Sequence, residues 1–439
     1  MGVVAEVDFD FSPFLKRYKN GRIERLLRSP LVAASENPTA NRGVATRDVV
    51  IDHGTGVSAR LFLPSRAAMA AGTRRLPLIV YIHGGSFCTE SAFCRTYHRY
   101  ATSLAASAGA LVISVEYRLA PEHPIPAAYD DAWSALKWVA SLADPWLANH
   151  ADPARMFLAG DSAGGNIAYH TAVRASRDGG VGVDIEGMVI IHPYFWGAER
   201  LPSEEVWDGA AVFPAYGVDW LWPFVTAGQA SNDDPRLNPP DEEIASLKCR
   251  RVLVAVAEKD TLRERGCRLL NRFHDNYARS GGGEATLVES EGEDHGFHLY
   301  SPLRATSRRL MSSIVNFINQ PPAPELDDHL HWHACGGKKI DRTSATTTAP
   351  KPMILGVPRR PFMDVFGYGM EMKRHYGCSS STTCMAYAMS KNRGRGKAAS
   401  PKKNYGLFSG AVWPNKAYKG PAAAATLPGT HHVIKNMWQ

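Results

Sequence analysis

Five short apolar runs punctuate the chain before position 260: Leu78–His83 (LIVYIH), Leu111–Val115 (LVISV), Met156–Ala159 (MFLA), Met188–His192 (MVIIH) and Val252–Ala257 (VLVAVA). Each is too short for an independent helix. As a group they are rich in Val and Ile and show no alternation, the pattern of strands covered on both faces. Helix-length stretches lie between and after them, at Tyr97–Ser107, Pro126–Ala143, Gly164–Ser176 and Thr261–Ser280. That succession predicts a mostly parallel central sheet with helices on both faces. Arg47–Ile51 and Ser58–Leu63 alternate more cleanly on either side of His53–Gly56, and predict an antiparallel edge hairpin.

Two segments break the pattern. Residues 1–35, containing FSPFLKRYKNGRIERLL, read as an amphipathic segment ahead of the first strand. Residues 197–232 carry Trp207, Phe213, Tyr216, Trp220, Trp222 and Phe224 without strand alternation. An aromatic insert placed between sheet strands predicts a helical lid over a pocket, shared with the N-terminal segment; the alternative is a peripheral helical layer with a small core of its own. After Gln320 the chain turns to Thr runs, Gly, Pro, an Ala run at Ala422–Ala425 and scattered basic clusters. The expected organisation is therefore one domain over 1–320 and a basic, low-complexity tail over 321–439, disordered or loosely attached.

Composition narrows the class. Of 439 residues, 44% are hydrophobic and 21% charged, as in ordinary soluble domains. No run approaches the roughly 18 uncharged apolar residues of a membrane span. The start, MGVVAEVDFDFSPF, is acidic where a signal peptide is basic, and seven cysteines make an odd count spread over a long chain. Secretion and a disulfide framework are not expected, and a cytoplasmic location is. The net charge of +7 conceals an asymmetry, since residues 321–439 hold 17 Lys and Arg against 6 Asp and Glu, leaving the first 320 residues at −4. The basic balance thus belongs to the tail and does not mark the body as a nucleic-acid binder.

Candidate chemistry begins with Gly160-Asp161-Ser162-Ala163-Gly164, between the strand MFLA and a helix. In that context G-x-S-x-G is a sharp turn that projects Ser162 over the C-terminal edge of the sheet, at a helix N-terminus, as a nucleophile. His83-Gly84-Gly85-Ser86-Phe87 follows the strand LIVYIH directly. The amides of Gly84 and Gly85, with that of Ala163, are the expected donors to an oxyanion. His83 is read as structural, because it closes the strand. A serine nucleophile needs a base and an orienting acid, in the chain order Ser, Asp or Glu, His. His295 stands in EGEDHGF after the strand-like ATLVE, and Asp260 in the loop after VLVAVA, with Glu258 the weaker candidate for the acid.

Other signals point elsewhere with less force. Cys88 and Cys94 read as buried small side chains. The tail's His329, His331, His333 and Cys335 are ligand types without a defined zinc spacing, and the run Lys391–Lys397 and Lys402-Lys403 read as solvated charge. Met1-Gly2 lacks the Ser or Thr that myristoylation needs at position 6, where Glu6 stands.

With these motifs in place, the sequence resembles the plant carboxylesterases of the hormone-sensitive-lipase group of α/β-hydrolases. The resemblance spans about residues 8–320, through HGGSF at 83–87, YRLAPEHP at 117–124, GDSAGGN at 160–166, Asp234-Pro235-Arg236 with Asn238-Pro239, and DHGF at 294–297. It implies an α/β-hydrolase fold, ester hydrolysis through a serine acyl-enzyme, and a hydrophobic small-molecule ester as substrate. No metal, nucleotide, flavin, nucleic acid or membrane is implied. One departure is Ser86, where the family usually has a third glycine; its hydroxyl would narrow the acyl pocket. The group also contains 2-hydroxyisoflavanone dehydratases, which no residue here excludes, and gibberellin receptors, which have lost the histidine that His295 represents.

Overall fold

The N-terminal segment forms strands. β1 (Val7–Phe11), β2 (Leu15–Tyr18) and β3 (Ile23–Arg25) make a small antiparallel sheet. The turn between β2 and β3 falls on Asn20-Gly21, where Gly21 has φ +82° and donates its amide to Tyr18 O at 2.8 Å. Asn-Gly is the favoured centre of a tight hairpin, so this part of the expected lid is strand and not helix. This is the computed structural model of the chain, and it describes residues 6–12, 14–65, 75–178, 184–205, 214–280 and 282–320. The tail at 321–439 lies outside the described residues, as do Trp207, Phe213 and the Tyr216 side chain of the aromatic insert.

The apolar runs all enter one eight-stranded sheet: β4 (Val44–Asp52), β5 (Val57–Pro64), β6 (Leu76–Ile82), β7 (Leu111–Glu116), β8 (Ala151–Asp161), β9 (Ile185–Ile191), β10 (Arg251–Ala257) and β11 (Glu284–Ser290). Their order across the sheet is β11-β10-β9-β8-β6-β7-β5-β4. β5 pairs antiparallel with both neighbours, and the pairs from β7 to β11 are parallel. The expected edge hairpin is β4–β5, and the expected mostly parallel sheet is the rest.

Helices cover both faces: α1 (Arg95–Ala108), α2 (Ala127–Ala140), α3 (Ala163–Arg177), α4 (Ala215–Val225), α5 (Arg263–Ser280), α6 (Phe297–Tyr300) and α7 (Ala305–Asn319). Successive residues of one strand serve opposite layers. Leu78, Val80 and Ile82 belong to the core layer shared with α2, α3 and α5, while Ile79 and Tyr81 belong to the layer shared with α1 and α7. Burying each such Val, Leu or Ile contributes about 1.5–3 kcal/mol. A strand apolar on both faces can therefore sit only in the interior of the sheet, which is why the continuous runs and not the alternating ones form its centre.

Two consequences of this topology place the chemistry. Parallel strands end on one edge, so β6, β8, β9, β10 and β11 deliver the loops that follow them to the same side. These five are also contiguous in the sheet. Over that side lies α4, whose Phe224 stacks on Phe9 at a centroid distance of 4.7 Å and tilts against Phe11 at 5.8 Å. The N-terminal sheet is pinned in turn by Arg25, which donates to Cys88 O at 2.7 Å and pairs with Glu122 through both guanidinium arms at 2.8 and 2.7 Å.

Candidate active site

The turn after β8 is forced by backbone approach. A Cβ on Gly164 would stand 2.0 Å from Ile82 O and 2.6 Å from His83 O, and one on Gly160 would stand 2.3 Å from Gly164 O. No side chain fits, so glycine at both positions lets α3 start almost in contact with β6. Between them Ser162 takes φ 52° and ψ −121°, a strained conformation for a residue with a Cβ. Its amide bonds to Ile191 O at 2.8 Å and its carbonyl accepts from Tyr194 N at 3.0 Å, so the strain is held from both sides.

The loops after β10 and β11 carry the other two expected residues and are tied together. Lys259 N donates to Glu293 O at 2.9 Å, and Glu258 N to Ser290 O at 3.1 Å. His295 Nε2 lies 2.9 Å from Ser162 Oγ, and its Nδ1 lies 2.8 Å from Asp260 Oδ2. A carboxylate only accepts, so the assigned tautomer has Nδ1–H donating to Asp260 and leaves Nε2 as acceptor for the serine hydroxyl. The second oxygen of Asp260 takes the Leu262 amide at 2.9 Å. Glu258, the weaker candidate, spends its carboxylate on the Gly292 amide at 2.6 Å.

The electrostatics follow from burial and pairing. Burial would lower the His295 pKa, but the charge and hydrogen bond of Asp260 outweigh it, and the value is raised above the ordinary 6.5. Burial would raise the Asp260 pKa, but His295 outweighs it there too, and the value falls below 3.8. His192, Asp260 and His295 bring three potential metal-ligating atoms within 4.8 Å of one another. Two of those residues, however, are bonded to each other.

The loop after β6 departs from expectation at one residue. The Gly84 amide donates to Tyr97 Oη at 2.9 Å and to Asp161 Oδ1 at 3.1 Å, so it is not open to a bound oxyanion. The cause is Asp161. This buried carboxylate needs donors, and it collects Tyr81 Oη at 2.7 Å, Tyr97 Oη at 2.9 Å and the Gly84 amide. Burial nonetheless raises its pKa. Among the described residues, the amides of Gly85, Ser86 and Ala163 donate to no partner. His83 stacks on Tyr117 at 4.3 Å, hydrogen-bonds Gly84 O through Nδ1 at 2.7 Å, and is driven by burial to a pKa of about 4.

The roof is aromatic. Phe87 meets Tyr194 and Trp222 edge-on at 5.6 and 5.7 Å, and Trp222 Nε1 donates to Asp234 at 3.1 Å. Arg236 closes that group by pairing with Asp234. Sequence reasoning missed the Asp161 network, Arg25 and His192. The last has a simple signal, since it directly follows a sheet strand at the edge where the site forms.

A family model described as an alpha/beta hydrolase fold matches residues 79–299. The chain belongs to the α/β-hydrolase family. Among its relatives is "Tuliposide A-converting enzyme 2, chloroplastic" from Tulipa gesneriana, 43% identical over 71% of this chain and 79% of that protein. Another is "Probable carboxylesterase 5" from Arabidopsis thaliana, 36% identical over 72% of this chain and 99% of that protein. An esterase structure from Pyrobaculum calidifontis superposes with a TM-score of 0.52 at 31% identity, covering 62% of this chain and 84% of the other. This α/β-hydrolase is a plant carboxylesterase-type serine hydrolase. Among the described residues no helix is long and apolar enough to cross a membrane. The tulip enzyme's name places that protein in chloroplasts, so the expected cytoplasmic location gains no support from it.

Proposed function

We propose that the protein hydrolyses a hydrophobic small-molecule carboxylic ester through an acyl-enzyme on Ser162, with His295 as base and Asp260 holding its tautomer. The observation that carries this reading is the unbroken chain of contacts from Asp260 through His295 to Ser162, at 2.8 and 2.9 Å. Ser162 Oγ attacks the ester carbonyl carbon as its proton passes to His295 Nε2. The carbonyl π pair moves onto oxygen, where the amides of Gly85, Ser86 and Ala163 receive it, each typically worth about 2.7–4 kcal/mol of barrier. As the tetrahedral species collapses, the C–O bond to the alcohol breaks and His295 returns the proton to the departing oxygen. Water then repeats the sequence on the acyl-enzyme. The N-terminus of α3 points its dipole at the same charge. The aromatic roof supports an apolar substrate.

The test is an activated-ester series of increasing acyl length on purified protein, with labelling by an organophosphate. The expected result is a burst of leaving group and a covalent adduct at Ser162, both lost in His295→Ala. Water elimination from a 2-hydroxyisoflavanone faster than hydrolysis of any ester would replace hydrolysis with dehydration. Tight gibberellin binding without turnover or adduct would make the protein a receptor.

A further inference from the structure

Of the five strands that end at the site, β9 lies between β8, which leads to Ser162, and β10, which leads to Asp260. The residue that follows β9 is His192, and it is bound to both sides of the triad. Its amide donates to Ala255 O on β10 at 2.7 Å. Its ring Nδ1 accepts the amide N–H of Gly296, the residue after His295, at 3.2 Å. The ring is buried and packs against His295 at 5.7 Å and Phe297 at 5.5 Å. Its backbone has φ +46°, a conformation that a residue with a side chain adopts only when the surroundings impose it.

We infer that His192 is a positioning residue for the proposed triad: its Nδ1 fixes the Gly296 amide and thereby holds the His295 imidazole in line with Ser162 and Asp260. An acceptor at Nδ1 puts the ring proton on Nε2, which has no hydrogen-bond partner among the described residues. Filling the space alone would be better served by Leu or Phe, which leave no buried donor unmet. Burial, reinforced by the neighbouring His298 and by His295, keeps the pKa of His192 well below 6.5 despite the nearby Asp260, so the acceptor persists through the range where esterases work. The turn at 291–296 is tied to the loop after β10 through Glu293 O and the Gly292 amide, while the Gly296 amide, directly after His295, is held by His192. A misplacement of about 1 Å at a reacting group can cost on the order of 100-fold in rate.

The inference rests on the proposed acyl-enzyme reading, and two amide variants separate the two. Asn places its carbonyl oxygen where Nδ1 stands, and Gln places it one bond further along, where Nε2 stands. His192→Asn is expected to keep most of the wild-type kcat, with an unchanged acid limb in its pH profile. His192→Gln is expected to lose about 10- to 100-fold in kcat with KM altered less than about threefold. Its acid limb should move to lower pH, because a His295 no longer aligned with Asp260 loses the charge that raises its pKa. Hydrogen exchange at the Gly296 amide needs no turnover; it should stay protected in the Asn variant and open in the Gln variant. Equal behaviour of the two variants in exchange and in kcat, or loss in both only in step with a lowered melting temperature, would overturn the inference. So would the reverse ranking. Absence of a Ser162 adduct in the wild-type protein would instead strike the acyl-enzyme reading, and the exchange comparison alone would then decide the role of His192.

Discussion

At the C-terminal edge of the sheet, geometry is set by backbone against backbone: Gly164 over Ile82 O, Ser162 N on Ile191 O, His192 N on Ala255 O. Over the same edge, Phe224 rests on Phe9 and Phe11, and Phe87 on Trp222, ring against ring, with Arg25 as the polar pin to the N-terminal sheet. A backbone contact at van der Waals distance has one solution, because the peptide cannot change rotamer. Ring contacts can slide by tenths of an ångström at small cost, since each atom pair contributes only about 0.1–0.2 kcal/mol. The floor is therefore where errors should abolish the proposed chemistry, and the roof is where a change should be felt only by substrates that reach it.

The sharpest break of that comparison is Ser162→Ala. With the proposed nucleophile gone, turnover should fall on the order of 10⁶-fold while the melting curve stays in place; a folded variant keeping a tenth of wild-type activity would end the mechanism. Asp260→Asn should follow, at about 10⁴-fold, because the amide lets His295 present the wrong tautomer. The same pair sets the pH response. Hydrolysis needs neutral His295, so the rate should fall as pH drops through its raised value, earlier than for an ordinary histidine near 6.5. Stability runs the other way: the pair contributes most fully between the ordinary values of 3.8 and 6.5, and that contribution is lost as pH rises through His295 or falls through Asp260. A rate profile flat down to about pH 5 would contradict the arrangement.

Gly164→Ala probes the floor without touching a reacting group. Its Cβ meets Ile82 O at 2.0 Å, so destabilisation should reach or exceed the about 1–3 kcal/mol typical of overpacking, measured by chemical unfolding. On the roof, Phe224→Ala should cost about tenfold in kcat/KM on bulky esters and little on acetate, the size of one aromatic contact of about 0.5–1.5 kcal/mol. An equal loss on all esters would move Phe224 from the roof to the floor. Smallest of all, removal of the chain after Gln320 should shift the melting temperature by no more than a few degrees, in line with the compositional break there.

Much of this is legible in the amino-acid sequence. Runs such as LIVYIH and VLVAVA are apolar on both faces, and the interior of a parallel sheet is the place where both faces are covered. The proposed nucleophile Ser162 and its acid Asp260 each sit in the first loop after such a run, and His295 in the first loop after the half-exposed edge strand β11. The N-terminal sheet escapes notice although Asn20-Gly21 signals it, since its strands are too short for their alternation to stand out. Gly84 misleads for a different reason: its amide is claimed by Asp161, and only the packing of Tyr81 and Tyr97 around that carboxylate reveals the claim. His192 depends on strand order. A sequence gives the succession β8, β9, β10 but not that they are neighbours in the sheet.

Ser86 sits at φ +56°, one residue past Gly85, in the loop whose open amides are proposed to hold the oxyanion. An amide is common to every residue except proline, so the charge-stabilising part of that position is indifferent to what is encoded there. Only the side chain is selectable, and the left-handed backbone restricts the choice to a few small or turn-tolerant types such as Gly, Asn, Asp and Ser. Position 86 is thus a single codon at which the side chain can change with the proposed oxyanion donor left in place.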